Sequence, residues 1–173
     1  MPVVIGFDPS IVITGYSVMR NGGLVDYGDI RVIQGELSER LGYLMGEVER
    51  LVHTFKPEIG AVEKPPPFSF ERSTDRWTGK GLNAKDIIKC SYAMAVITGV
   101  LGRNGVYVDE FEAHRWKLCT GRNLGKEEMV ALARSLYPQL RGVKLSDHAA
   151  EAICMATFSR GPNKQLRRCL NGR

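Results

Sequence analysis

Cysteine is scarce in this chain and badly spaced for chemistry. The four cysteines, Cys90, Cys119, Cys154 and Cys169, form no C-x-x-C pair, so the usual signature of a zinc site or a dithiol centre is missing. Cys90 and Cys154 fall in apolar patterns of helical spacing, where a free thiol behaves as a small hydrophobe; reduced thiols are expected. Long hydrophobic runs are also lacking, and none approaches the ~18 residues of a membrane helix. The first residues show no basic region, long apolar stretch or small-residue cleavage site, so the expected location is the cytoplasm, with no membrane partner. No internal repeat is found. Acids are missing from Ser159 onward, where Arg160, Lys164, Arg167, Arg168 and Arg173 stand alone.

That last absence is part of a charge pattern. The net charge is +5, yet the first fifty residues hold seven acids against four bases, while twelve bases face eight acids between Lys64 and Arg134. Basic segments around an otherwise balanced domain point to a polyanion, most simply nucleic acid. A length of 173 residues suits one domain with a proper core.

The hydrophobic pattern predicts strands over Pro2–Asp8, Ile13–Arg20 and Leu24–Ile33, with Asn21-Gly22-Gly23 as a turn. Leu41, Leu44, Met45, Val48, Leu51, Val52 and Phe55 recur at helical spacing and predict a helix from Ser38 to Phe55. A short strand, Glu58–Glu63, follows Pro57. Lys64–Gly81 reads as a loop carrying three consecutive prolines, Phe68, Phe70, Trp77 and several bases. A helix over Leu82–Leu101, a strand over Val106–Phe111 and helices over Lys126–Tyr137 and Asp147–Ser159 complete an α/β domain, a mixed five-stranded sheet flanked by helices. The expected division is a domain over 1–160 and a basic tail over 161–173.

Two apolar strands stop at a carboxylate: "VVIGFD" at Asp8 and "IGAVE" at Glu63. A third stretch, "SDHAAEAICMATF", sets Asp147, His148 and Glu151 three and four residues apart, on a helix whose alanines let it lie close to a sheet. Ser146 or Asp147 as a helix cap and Glu151 as a solvated acid is the plainer alternative. Carboxylates gathered at strand ends repel one another unless a cation neutralises them, and hard oxygen donors suit Mg²⁺ or Mn²⁺. In a basic protein such a set describes a phosphodiester-cleaving site with two ions roughly 3.5–4 Å apart.

The residues at these places resemble the RuvC family of Holliday junction resolvases. "GFDPSIVITGY" is similar to the family's G-[IL]-D-P-G-x-x-x-T-G-[YW], with Gly6, Asp8, Pro9, Thr14, Gly15 and Tyr16 matching and Ser10 replacing a glycine. "AVEKPPPF" places Glu63 where the family has a catalytic glutamate. "HRWKLCTGRNLGKEEMV" resembles the segment that opens V-K and ends on a second lysine, with Lys117, Gly121 and Lys126. "HAAEAICMA" is similar to D-x-x-D-A-[IL]-x-[IL]-A, with His148 and Glu151 for the two aspartates. Asp147, one residue earlier, is an alternative carboxylate; His148 with Glu151 keeps the alanines in step. The resemblance is to a divergent member, and its departures suit a viral as well as a cellular genome.

The resemblance implies an RNase H-like fold and a homodimer that nicks opposing strands of a four-way DNA junction symmetrically, leaving 5′-phosphate and 3′-hydroxyl ends. It implies Asp8, Glu63, His148 and Glu151 as metal ligands and catalytic residues for two Mg²⁺ ions, with Mn²⁺ as substitute. Lys117 and Lys126 are expected to meet phosphate. Phe68 or Phe70 is expected to stack at the branch point, and Arg72, Arg76 and Lys80 to follow the backbone. A branch-migration helicase is a further expected partner. Rival readings are a nuclease for other branched DNA or RNA, a non-catalytic junction binder, and an actin-like ATPase. The retained carboxylates argue against the second, and the chain is too short for the last.

Overall fold

The computed structural model describes residues 2–32, 34–65, 84–112, 116–117 and 124–159. Within them run β1 (Val3–Asp8), β2 (Ile13–Arg20), β3 (Gly23–Arg31), α1 (Leu37–Phe55), β4 (Ile59–Lys64), α2 (Ala84–Arg103), β5 (Tyr107–Glu112), α3 (Lys126–Leu136) and α4 (Asp147–Phe158). Residues 66–83, which hold most of the expected loop, and the basic tail lie outside this set.

The sheet is mixed, in the order β3-β2-β1-β4-β5. β1 is antiparallel to β2, and β2 to β3, whereas β1, β4 and β5 are parallel. Asn21 and Gly22, with φ of 55° and 80°, make the two-residue turn between β2 and β3, the conformation that matches the twist of paired strands. Gly23 is already in β3, opposite Arg20.

Alternation along the strands assigns every side chain to one of two cores. Ile5, Phe7, Val18, Ile30 and Val62 face α1 and α2, against Leu44, Val48, Leu51, Ala93 and Ile97. Val4, Met19 and Ala61 face α3 and α4, against Met129, Ala133, Ala150 and Ile153. Burying a Leu, Ile or Phe is worth roughly 1.5–3 kcal/mol, so both layers are held by several independent anchors. By the same parity Asp8 and Glu63 belong to the α3–α4 face.

Element ends depart from the sequence expectation where capping overrides periodicity. α1 begins at Leu37 rather than Ser38, because the Glu36 N–H finds the Glu39 carboxylate at 2.8 Å. Its end is set by Lys56 in the left-handed conformation (φ 50°) before Pro57. α2 runs on to Arg103, whose guanidinium pairs with Glu49 of α1. α3 stops at Leu136, since a residue preceding proline, here Tyr137 before Pro138, is disfavoured in helix.

Candidate active site

β1 and β4 are in step through Phe7 opposite Val62. One residue further, Asp8 and Glu63 leave neighbouring parallel strands at the same edge and on the same face. Parallel strands present their C-terminal ends as a crevice, the usual place for a ligand in α/β sheets. The turn after Asp8 is fixed by Thr14, a buried residue whose hydroxyl donates to the Ser10 carbonyl (2.6 Å) and accepts the Ser10 N–H (3.0 Å).

α4 supplies the third carboxylate by lying almost on the strands. A Cβ at Gly6 would stand 2.4 Å from the Ala152 carbonyl oxygen, and one at Gly15 would stand 2.1 Å from that of His148. Both glycines are therefore required by space. The buried Ser17 hydroxyl locks the approach by donating to the Ala152 carbonyl at 2.8 Å. Ser146 caps the helix, accepting the Ala149 N–H at 3.0 Å, and its hydroxyl also donates to Asp29 of β3. With the helix phase fixed, Glu151 points into the crevice, and ligand oxygens of Asp8, Glu63 and Glu151 lie within 4.8 Å of one another.

The neighbouring residues of α4 diverge. His148 Nδ1 lies 2.5 Å from Asp8 Oδ2, and this contact raises the imidazole pKa against the opposing effect of burial. Asp147 turns instead to the Lys126 ammonium at the start of α3, 2.5 Å away, which holds its pKa below the usual range. Of the two alternatives, His148 adjoins the carboxylate cluster, whereas Asp147 pairs with Lys126. Lys126 sits on Asp147, largely exposed.

Two consecutive residues close the site from the side. Lys117 Nζ reaches both oxygens of Glu151 at 3.1 Å and lies 5.3 Å from the centre of the Trp116 ring. Trp116 is fully buried, and its indole N–H donates to Glu63 at 2.8 Å. Burial opposes the charge of Lys117, but Glu63 and Glu151 outweigh it and its pKa rises. Glu63 is pushed up to about 8, first by burial and, against the pull of Lys117, by Asp8 and Glu151. Burial and Asp8 raise Glu151 as well. Three crowded carboxylates, two of them reluctant to ionise, are a donor set that a hard divalent cation satisfies; the residues fit a metal ion.

Sequence reasoning placed Asp8, Glu63, His148, Glu151 and Lys117 in this region, and all five meet there. It missed Trp116, which reads as a core aromatic; the one available signal was its place directly before Lys117. Phe68, Phe70, Arg72, Arg76 and Lys80 lie outside the described residues.

Comparison with known proteins follows the same lines. The family model for crossover junction endodeoxyribonuclease RuvC matches residues 4–158. Curated proteins of that name are 27% identical over 90% of this chain and 83% of theirs (Treponema denticola) and 28% identical over 88% and 94% (Synechococcus sp. WH7803). Among solved structures, Thermus thermophilus RuvC bound to a Holliday junction substrate superposes with a TM-score of 0.70 at 22% identity, covering 91% of both chains. The yeast mitochondrial Holliday junction resolvase gives 0.60 at 11% identity, covering 97% of this chain and 83% of that one. The chain belongs to the RuvC family of crossover junction endodeoxyribonucleases.

Proposed function

We propose that the cluster of Asp8, Glu63 and Glu151 is the nuclease centre with which this enzyme resolves four-way DNA junctions. The observation that carries this reading is the convergence of three carboxylates within 4.8 Å at the C-terminal edge of parallel strands, in a chain of this family. These three residues would hold two Mg²⁺ ions, with Mn²⁺ able to substitute and His148 as a further ligand. When bound, the ions would clamp the scissile phosphate and activate a water.

The chain's own groups do the rest. Lys117 brings a positive charge beside Glu151 and Glu63, where a phosphate diester must arrive. His148, whose pKa Asp8 raises, carries an imidazole suited to proton transfer as well as to metal binding. Lys126 keeps a cation at the rim. Phe68, Phe70, Arg72, Arg76, Lys80 and the basic tail are assigned to the junction arms on their sequence alone.

Symmetric nicking calls for two sites on a two-fold axis, and we assign a homodimer. Supporting it, α1 and α2 leave an apolar groove of about 330 Å³ lined by Leu41, Met45, Tyr92, Ala95 and Val96, with Ile88 and Tyr92 more than 40% exposed. A branch-migration helicase belongs to the same scheme, as does a cytoplasmic site of action. No helix among the described residues is long and apolar enough to cross a membrane.

The test is incubation with Mg²⁺ and labelled four-way junctions beside duplex and single strands. Paired symmetric nicks on the junction alone, absent with Asp8→Asn, are expected. Tight junction binding without nicks in Mg²⁺ or Mn²⁺ would sink the enzymatic reading, and equal cutting of all substrates would sink the specificity.

A further inference from the structure

Trp116 has a place in this site that the family pattern does not supply, since the corresponding segment opens with valine before its lysine. Its side chain is fully buried, packed in the core shared by Met129, Ala133, Ala150 and Ile153 of α3 and α4. The indole is a donor only, and from this anchored ring its single N–H reaches one Glu63 oxygen at 2.8 Å. The bond leaves the other Glu63 oxygen without this claim on it. Glu63 stands at the last paired stretch of β4, on a side chain with three rotatable bonds, and the indole gives it a donor held rigidly by another part of the fold. The Lys117 ammonium, over the same ring, reaches Glu151 at 3.1 Å, and its charge acts on Glu63 as well.

We infer that Trp116 is a positioning residue of the metal centre: it locks Glu63 in one rotamer and directs one carboxylate oxygen toward the cation. The inference rests on the reading of Asp8, Glu63 and Glu151 as metal ligands. It does not follow from it, because a carboxylate ligand can be oriented by water or by backbone groups. Supporting hydrogen bonds of this kind keep a ligand from spending binding energy on being ordered, and removing one typically weakens metal affinity about 10–100-fold.

Two variants separate the hydrogen bond from the packing. Trp116→Phe keeps a ring beneath Lys117 and in the core but has no N–H, whereas Trp116→Val removes both. Calorimetric titration of the metal-free chain with Mn²⁺ is the measurement, with circular dichroism and melting as the check on folding. Trp116→Phe is expected to fold and to bind Mn²⁺ about tenfold more weakly. Its effect should vanish in a Glu63→Gln background, since it acts through that carboxylate. Unchanged Mn²⁺ affinity in folded Trp116→Phe overturns the inference.

A second readout needs no change at Trp116. The chain has two tryptophans, so Trp77→Phe leaves Trp116 as the sole indole. Paramagnetic Mn²⁺ should then quench its fluorescence saturably, with the calorimetric midpoint, and Glu63→Gln should abolish the response. Absence of quenching while calorimetry shows binding overturns the role of Trp116 and leaves the metal centre standing. Absence of any Mn²⁺ binding to the parent chain overturns both.

Discussion

At the scale of single residues, the site is a balance of charges that the unliganded chain tolerates badly. The folded chain keeps a proton on Glu63 up to about pH 8, while the unfolded chain releases it near 4.5. Stability from this group is therefore complete below about 4.5 and is lost as pH rises toward 8. His148, raised by Asp8, acts in the same direction. Its contribution is complete below the ordinary imidazole range and disappears as pH climbs through the raised value. The metal-free protein should melt at a lower temperature at pH 8 than at pH 6, and Mg²⁺ should raise the melting point more at pH 8. An equal Mg²⁺ gain at both values would contradict the crowding of these carboxylates. Asp8→Asn should cut nicking by more than the roughly 10–100-fold lost with a supporting hydrogen bond, while junction binding, read by gel shift, persists. Asp8 and Glu63 were legible in the sequence because an acid ending an apolar strand is conspicuous. Trp116 was not, since its partner is 53 positions away and an aromatic flanked by polar residues carries no sign of where its N–H points.

At the scale of elements, everything turns on how closely α4 lies against β1 and β2. Gly15→Ala would drive a methyl group into the His148 carbonyl, a backbone atom that cannot step aside without moving the helix. Overpacking of this kind costs about 1–3 kcal/mol; denaturant melts should show a loss at the upper end, together with weakened Mn²⁺ binding. Ser146→Ala removes the cap and the donor to Asp29 and should cost about 1 kcal/mol, leaving the residual activity's metal requirement unchanged. A full-strength α4 in that variant would mean that sheet packing alone sets the helix start. The alanine run made this helix readable and favoured a phase with His148 and Glu151 together, though not the contacts that hold it. His148 and Asp147 are adjacent, so a rotation of one residue exchanges their directions. The directions they take are set by the Ser146 cap and by Lys126 on another element, contacts that periodicity does not report. The start of α1 escaped for a similar reason: Glu39 reaches back to Glu36, so Ser38 falls inside the first turn.

At the scale of the whole molecule, the two faces of the sheet have separate duties. The α3–α4 face carries the carboxylates, and the α1–α2 face presents the groove that we assign to a second copy. Tyr92→Glu, in that groove, should yield monomers by light scattering and convert paired nicks into uncoupled single ones; a dimeric Tyr92→Glu chain would place the interface elsewhere. Junction affinity should fall steeply between 50 and 200 mM salt, as phosphate-contacting proteins do. The separation of Asp8 from Glu63 comes from the hydrogen-bonded repeat of parallel strands, about 4.8 Å, a constant of the polypeptide backbone. Exchanging core side chains does not alter that repeat, so core substitutions can accumulate without detuning the pair. Length behaves differently. Inserting or deleting one residue within β1 or β4 would swing a carboxylate through the sheet to the opposite face, so these two strands are free to change their spelling but not their count.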